Sequence, residues 1–171
     1  GLPLGNIPPG ILSGFNKALN NKLLILHYGL NVYSPEVEDY HWYEEAMGRV
    51  IRHLKAASPG VSILVVSMPD RAALIGGEYF TPAGLPDFIR MQQRVATREN
   101  VAFFNLYEAM GGANSMKKWA EERPRLAGDD YTHPNGAGAA RIASLIGEFL
   151  MNTYDHSRPA ATPGVPNPLQ P

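Results

Sequence analysis

Three short, nearly continuous apolar runs punctuate the chain: Leu23 to Leu26, Val61 to Ser67 and Val101 to Phe104. Runs of this length with no polar alternation suit strands covered by helices on both faces, as in a parallel sheet. Between them, apolar positions recur at helical spacing. Tyr43, Met47, Val50 and Leu54 line one face of a helix expected to run from near Pro35 to just before Pro59-Gly60. Leu85, Phe88, Ile89 and Val95 mark a second helix, and Gly138, Ile142, Leu145, Ile146 and Phe149 a last one. Pro134 is expected in the first turn of that last helix, where its missing N–H costs nothing. Ile11 to Leu19, interrupted by Gly14, reads as a weaker helix ahead of the first strand. The order α-β-α-β-α-β-α predicts an α/β fold with a parallel sheet, in one domain over residues 1–154.

Three parallel strands form a small sheet. Leu23 to Leu26 is therefore expected at an edge, with unpaired backbone groups beside an apolar surface. The chain reads as lacking one or two strands before Gly1. Its start at Gly1, not Met, fits a mature form or a piece of a longer chain. The stretch 155–171 is Pro-rich with little to bury and is expected to be an extended or disordered tail.

Composition narrows the function classes. A chain of 171 residues with 44% hydrophobic and 18% charged residues has the profile of a soluble globular domain with a sizeable core. The net charge of -1 offers no electrostatic argument for nucleic acid or an anionic membrane. No apolar stretch approaches the roughly 20 residues that span a bilayer. The absence of cysteine excludes disulfides, a thiolate nucleophile and cysteine metal sites. No Gly-rich phosphate loop and no acidic phosphoacceptor cluster is present, which argues against a nucleotide-binding or receiver domain.

In open parallel sheets, ligands bind beyond the carboxyl ends of the strands. Those ends carry His27-Tyr28-Gly29-Leu30-Asn31, then Met68-Pro69-Asp70-Arg71, then Asn105-Leu106-Tyr107. The loop Asp130-Tyr131-Thr132-His133 precedes the last helix and can return to the same edge. Its carboxylate and imidazole, three residues apart, suit a general base and the group that fixes its tautomer. Asp129 is the adjacent rival, but the spacing favours Asp130; a capping role for the last helix is the plainer account of that carboxylate. The Asn31 side-chain amide can donate to a developing oxyanion, and Gly29 allows the tight turn before it.

Together, Tyr28-Gly29-Leu30-Asn31 and Asp130-Tyr131-Thr132-His133 resemble the third (Gly-x-Asn-Asp) and fifth (Asp-x-x-His) blocks of the SGNH, or GDSL-type, hydrolases. The resemblance runs from about Gly1 to Tyr154. It implies a flavodoxin-like three-layer α/β/α fold, with Ser-His-Asp ester hydrolysis and no cofactor or metal. By this resemblance His133 is the base and Asp130 its orienter. The oxyanion would be held by Asn31 and a second-block glycine, for which Gly5 is the candidate and Gly1 and Gly10 are rivals. Phe103 to Met116, with Met110-Gly111-Gly112 and Asn114-Ser115-Met116, looks like bacterial members that act on acylated carbohydrate.

Two departures stand out. Val32 occupies the position where the family usually has Asp. No Gly-Asp-Ser occurs, and no serine follows a strand before Gly29, so the chain has no nucleophile of its own. The family carries that serine on its first, central strand, the one this chain reads as lacking. An upstream segment or a second chain would supply it, and the chain alone is expected to be inactive. The expected substrate is an acylated carbohydrate or small ester, and a periplasmic or secreted location goes with it. The competing reading is a binding domain that kept the fold without the nucleophile.

Other residues have plainer accounts. His27 is expected to be structural, Asp70-Arg71 either to border the pocket or to form a local surface ion pair, and Gly111-Gly112 to make a plain turn rather than shape a substrate loop. His41 and His53 are expected on a solvated helix face, and Trp42 and Trp119 to be partly buried.

Overall fold

The structure is a computed structural model and describes residues 5–157. Its central sheet holds β1 (Leu23–His27), β2 (Ser62–Val66) and β5 (Ala102–Phe104), all parallel, in the order β1-β2-β5. The three apolar runs are the three strands, and β1 lies at an edge as expected. Strand side chains alternate between faces. Leu24, Leu26, Ile63, Val65 and Phe103 pack with α1 (Pro9–Leu19), α2 (His41–Ala57) and α3 (Leu85–Arg98). Leu23, Leu64, Val66 and Phe104 pack on the opposite side with α4 (Leu106–Met110), α5 (Ser115–Glu121) and α6 (Gly136–Ser157). This is the expected three-layer α/β/α arrangement. Fully burying an aliphatic side chain such as Ile51, Leu64 or Val95 contributes about 1.5–3 kcal/mol, so the two clusters carry most of the fold's stability.

The second face is less complete at β1. Ile25 is 46% exposed, and α6 buries only Gly138 fully. Helix α1 buries no residue, leaving Ile11, Phe15 and Leu19 exposed at four-residue spacing along one stripe.

Several boundaries differ from expectation. Helix α2 starts at His41, not near Pro35, because the residues before it are spent closing a loop. The Tyr40 hydroxyl donates to Ser34 O at 2.9 Å and accepts from Ser34 N at 2.7 Å, while Asp39 Oδ1 accepts the His41 N–H at 2.8 Å. Tyr33 and Tyr40 then stack, and Phe88 meets both rings edge-to-face to complete one aromatic group. Pro134 precedes α6 instead of opening it: it bridges to Ala127, and Asn135 caps the helix by accepting the Gly138 N–H at 3.0 Å. Residues 155–157, expected in the tail, form the last turn of α6. The rest of that tail, and Gly1, lie outside the described residues.

One element went unforeseen. β3 (Ala73–Ile75) and β4 (Glu78–Phe80) form an antiparallel hairpin after β2. Its turn, Gly76-Gly77, has φ of 61° and 91°, values open to glycine without steric cost.

Candidate functional site

The carboxyl edge of the sheet gathers the loops that the strand ends predict. After β1, Gly29 takes φ 123° and its carbonyl accepts the N–H groups of Val32 and Tyr33 at 2.8 and 2.9 Å. That closes a tight turn with Asn31 exposed on it. Gln92 of α3, fully buried, fastens the turn from beneath. Its Nε2 donates to Tyr28 O at 2.8 Å, and its Oε1 accepts the Met68 N–H at 3.0 Å. One amide thus satisfies backbone groups at the ends of two strands. A polar residue on an apolar helix face was the only sequence signal for it.

The Asp130–His133 loop is equally tight. Asp130 Oδ2 meets His133 Nδ1 at 2.7 Å, and Asp130 Oδ1 accepts the N–H groups of Thr132 and His133, both at 3.0 Å. These contacts, the His133 backbone bond first and its imidazole next, hold the Asp130 carboxyl down to about 2. An ionised carboxylate can only accept, so Nδ1 carries a proton, and in the neutral imidazole Nε2 then presents its lone pair. That is the tautomer a general base requires. Asp129 instead pairs with Arg125, which separates the two neighbouring carboxylates. Asp130 does not cap α6, since Asn135 does.

Between these loops lies the segment after β2. Arg71 donates from its guanidinium to Tyr33 O at 3.2 Å, and Ala72 N–H donates to Tyr131 O at 2.9 Å. Adjacent residues of the central strand's loop therefore reach the Asn31 turn on one side and the Asp130–His133 loop on the other. Of the two readings of Asp70-Arg71, the local ion pair is not what forms. Asp70 is fully buried and accepts from Thr81 Oγ1 at 2.7 Å, Met116 N at 2.9 Å and Ser115 Oγ at 3.4 Å. Burial nevertheless raises its pKa above the usual carboxylate value. Those bonds explain Asn114-Ser115-Met116: the segment docks onto Asp70 and, through Asn114, onto Thr81.

Asn31 also borders a cavity of about 440 Å³ with His27, Tyr28, Leu30 and the α2 side chains Tyr43, Met47 and Val50. Its walls are largely apolar, which suits an acyl or other apolar group. A Cβ on Gly5 would lie 3.4 Å from Val50 Cγ2, so Gly5 stands beside one wall of this cavity. Gly10, its rival, sits in the first turn of α1. Among the described residues, no serine hydroxyl is hydrogen-bonded to His133, and no group of three His, Cys, Asp or Glu side chains could hold a metal.

The remaining expectations divide. His27 ends β1 at the cavity. Gly111 and Gly112, with φ of 115° and 71°, end α4 in a plain turn. His41 is exposed, but His53 is half-buried and its Nε2 meets Ile7 O at 2.8 Å, binding the N-terminal segment to α2. Trp119 is half-buried against the second core, whereas Trp42 is 53% exposed. No helix among the described residues is long and apolar enough to cross a membrane.

Comparison with known proteins bears on this arrangement. A search of curated sequences finds no match. Among solved structures, a peptidoglycan O-acetylesterase superposes with a TM-score of 0.76 at 25% identity, over 87% of this chain and 41% of that one. The chain thus spans about two fifths of that esterase's length. A Lactobacillus plantarum protein (TM-score 0.62, 19% identity) aligns over 82% of this chain and 72% of its own. The periplasmic domain of a Salmonella ser. Paratyphi A lipopolysaccharide acetyltransferase (0.57, 12%) aligns over 81% and 60%, and both likenesses show the fold alone. The model of the GDSL-like lipase/acylhydrolase family matches residues 6–141, which contain the Asn31 turn, the Asp130–His133 pair and all five strands, and the chain belongs to that family.

Proposed function

We propose that this chain is the base-and-oxyanion part of a serine esterase that removes acyl groups, acetyl foremost, from a carbohydrate polymer. The observation that carries this reading is the 2.7 Å contact between Asp130 Oδ2 and His133 Nδ1, with the carboxylate held ionised. His133 Nε2 takes the proton of a serine hydroxyl as that oxygen attacks the ester carbonyl, then returns it to the departing alcohol. The Asn31 amide and the Gly5 N–H donate to the oxyanion. Serine comes from a strand added to the free edge of β1, and the exposed Ile25 beside that edge supports this placement. The carbohydrate assignment draws on the peptidoglycan O-acetylesterase likeness, and an extracytoplasmic location accompanies it.

The test is p-nitrophenyl acetate hydrolysis by the full-length protein and its His133→Ala variant. Loss of about 10³-fold or more in kcat is expected, in line with removal of one member of such a triad. The isolated chain should hydrolyse the ester no faster than buffer. Equal rates for wild type and variant would remove His133 from catalysis and favour a binding domain with this fold.

A further inference from the structure

Tyr131 has φ 52°, in the left-handed region that residues with a Cβ seldom occupy. That conformation folds the backbone so that the N–H groups of Thr132 and His133 return to Asp130 Oδ1. Three elements converge on this residue. The Tyr79 ring, on β4, lies parallel to the Tyr131 ring, with centroids 3.6 Å apart and planes 6° from each other. Ala72, immediately before β3, donates its N–H to Tyr131 O at 2.9 Å. From α5, Glu121 Oε1 accepts the Tyr131 hydroxyl at 3.2 Å.

The hairpin is itself fixed. Thr81, just after β4, bonds to buried Asp70, and it exchanges two hydrogen bonds with Asn114 at 2.7 and 3.1 Å. Tyr79 belongs to neither hydrophobic core cluster. A large aromatic ring on a peripheral hairpin, laid flat on the one strained residue of the loop, has a use beyond core packing.

We infer that Tyr79 is a positioning residue: the β3–β4 hairpin clamps Tyr131 in its left-handed turn and so keeps Asp130 in register with His133. This rests on the reading of Asp130 and His133 as orienter and base. The clamp acts on the loop's geometry and touches no reacting atom.

The decisive measurement is carboxyl ¹³C NMR of Asp130 between pH 6 and pH 3 in this chain. Wild-type Asp130 should stay ionised throughout, because its three hydrogen bonds hold it down to about 2. Tyr79→Ala should give a midpoint near the ordinary aspartate value of about 3.9. Tyr79→Phe, which keeps the ring, should behave as wild type. Tyr79→Leu, apolar but unable to stack, should follow Tyr79→Ala. A folded Tyr79→Ala protein with wild-type titration would overturn the proposal. So would Tyr79→Leu titrating like Tyr79→Phe, or loss of fold in both non-aromatic variants, which would make the ring a stability element. In the full-length protein, Tyr79→Ala should lower kcat at least 10-fold with KM little changed, and Tyr79→Phe should restore it. An inactive wild type would sink the esterase reading while leaving the titration result standing.

Discussion

Gly138 offers the sharpest check on how the Asp130–His133 loop is held. It lies in the first turn of α6, where helix propensity alone favours alanine by about 0.5–1 kcal/mol. Tertiary structure reverses that sign. A Cβ at this position would stand 1.9 Å from Leu126 O and 3.0 Å from both Leu126 C and Pro134 Cβ. Ordinary carbon–oxygen contacts begin near 3.3 Å, so helix and loop must separate by roughly 1.4 Å. Leu126 has no room to yield cheaply. Its carbonyl accepts the Asn135 N–H at 3.0 Å, and the N–H groups of Leu126 and Ala127 both donate to Trp119 O. Overpacking costs about 1–3 kcal/mol and the strained hydrogen bond about 1 more. After the propensity gain, Gly138→Ala should destabilise by about 1–3 kcal/mol. At 2–4 °C per kcal/mol for a domain of this size, the expected fall in Tm is roughly 2–12 °C. Gly147, in the same helix with nothing within 4 Å of where a Cβ would stand, is the control: Gly147→Ala should gain about 0.5–1 kcal/mol. Thermal unfolding of the two variants side by side reads the contrast. If Gly138→Ala is as stable as Gly147→Ala, the contact between α6 and the loop is not what the geometry says.

Two further outcomes follow from the site. Gly29→Ala meets both a φ of 123° and a Cβ that would lie 2.9 Å from Phe88 Cε1 and 3.1 Å from Gln92 Nε2, so a loss of about 2–5 kcal/mol is expected by denaturant titration; a change under 1 kcal/mol would contradict it. The pH dependence comes from Asp130, whose carboxyl is depressed from 3.8 to about 2 on folding. A depressed acid stabilises the fold above its unfolded value, so the stability advantage of wild type over Asp130→Asn should shrink as pH falls from about 4 to about 2. An advantage that grows below pH 3 would show the sign to be wrong.

Chain periodicity determined the layers of this protein. Continuous apolar runs at β1, β2 and β5 call for cover on both faces, met more fully at β2 than at β1, and the spacing of Tyr43, Met47, Val50 and Leu54 admits one buried helix face. These are local patterns, so they survive reading without coordinates. Asp130 and His133 were legible for the same reason: they stand three positions apart in the chain, and a single turn brings them together. The hairpin carried a readable signal in Gly76-Gly77 between Leu74-Ile75 and Tyr79-Phe80, but its strands are only three residues long. What only tertiary structure decided are the contacts between residues far apart in the chain. Gln92 joins Tyr28 to Met68, Asp70 leaves Arg71 for Thr81 and Met116, and Tyr79 lies on Tyr131. Each depends on where loops end after the sheet has formed. The buried polar groups there take whichever partner the packing brings within about 3 Å, and no spacing along the chain records that choice.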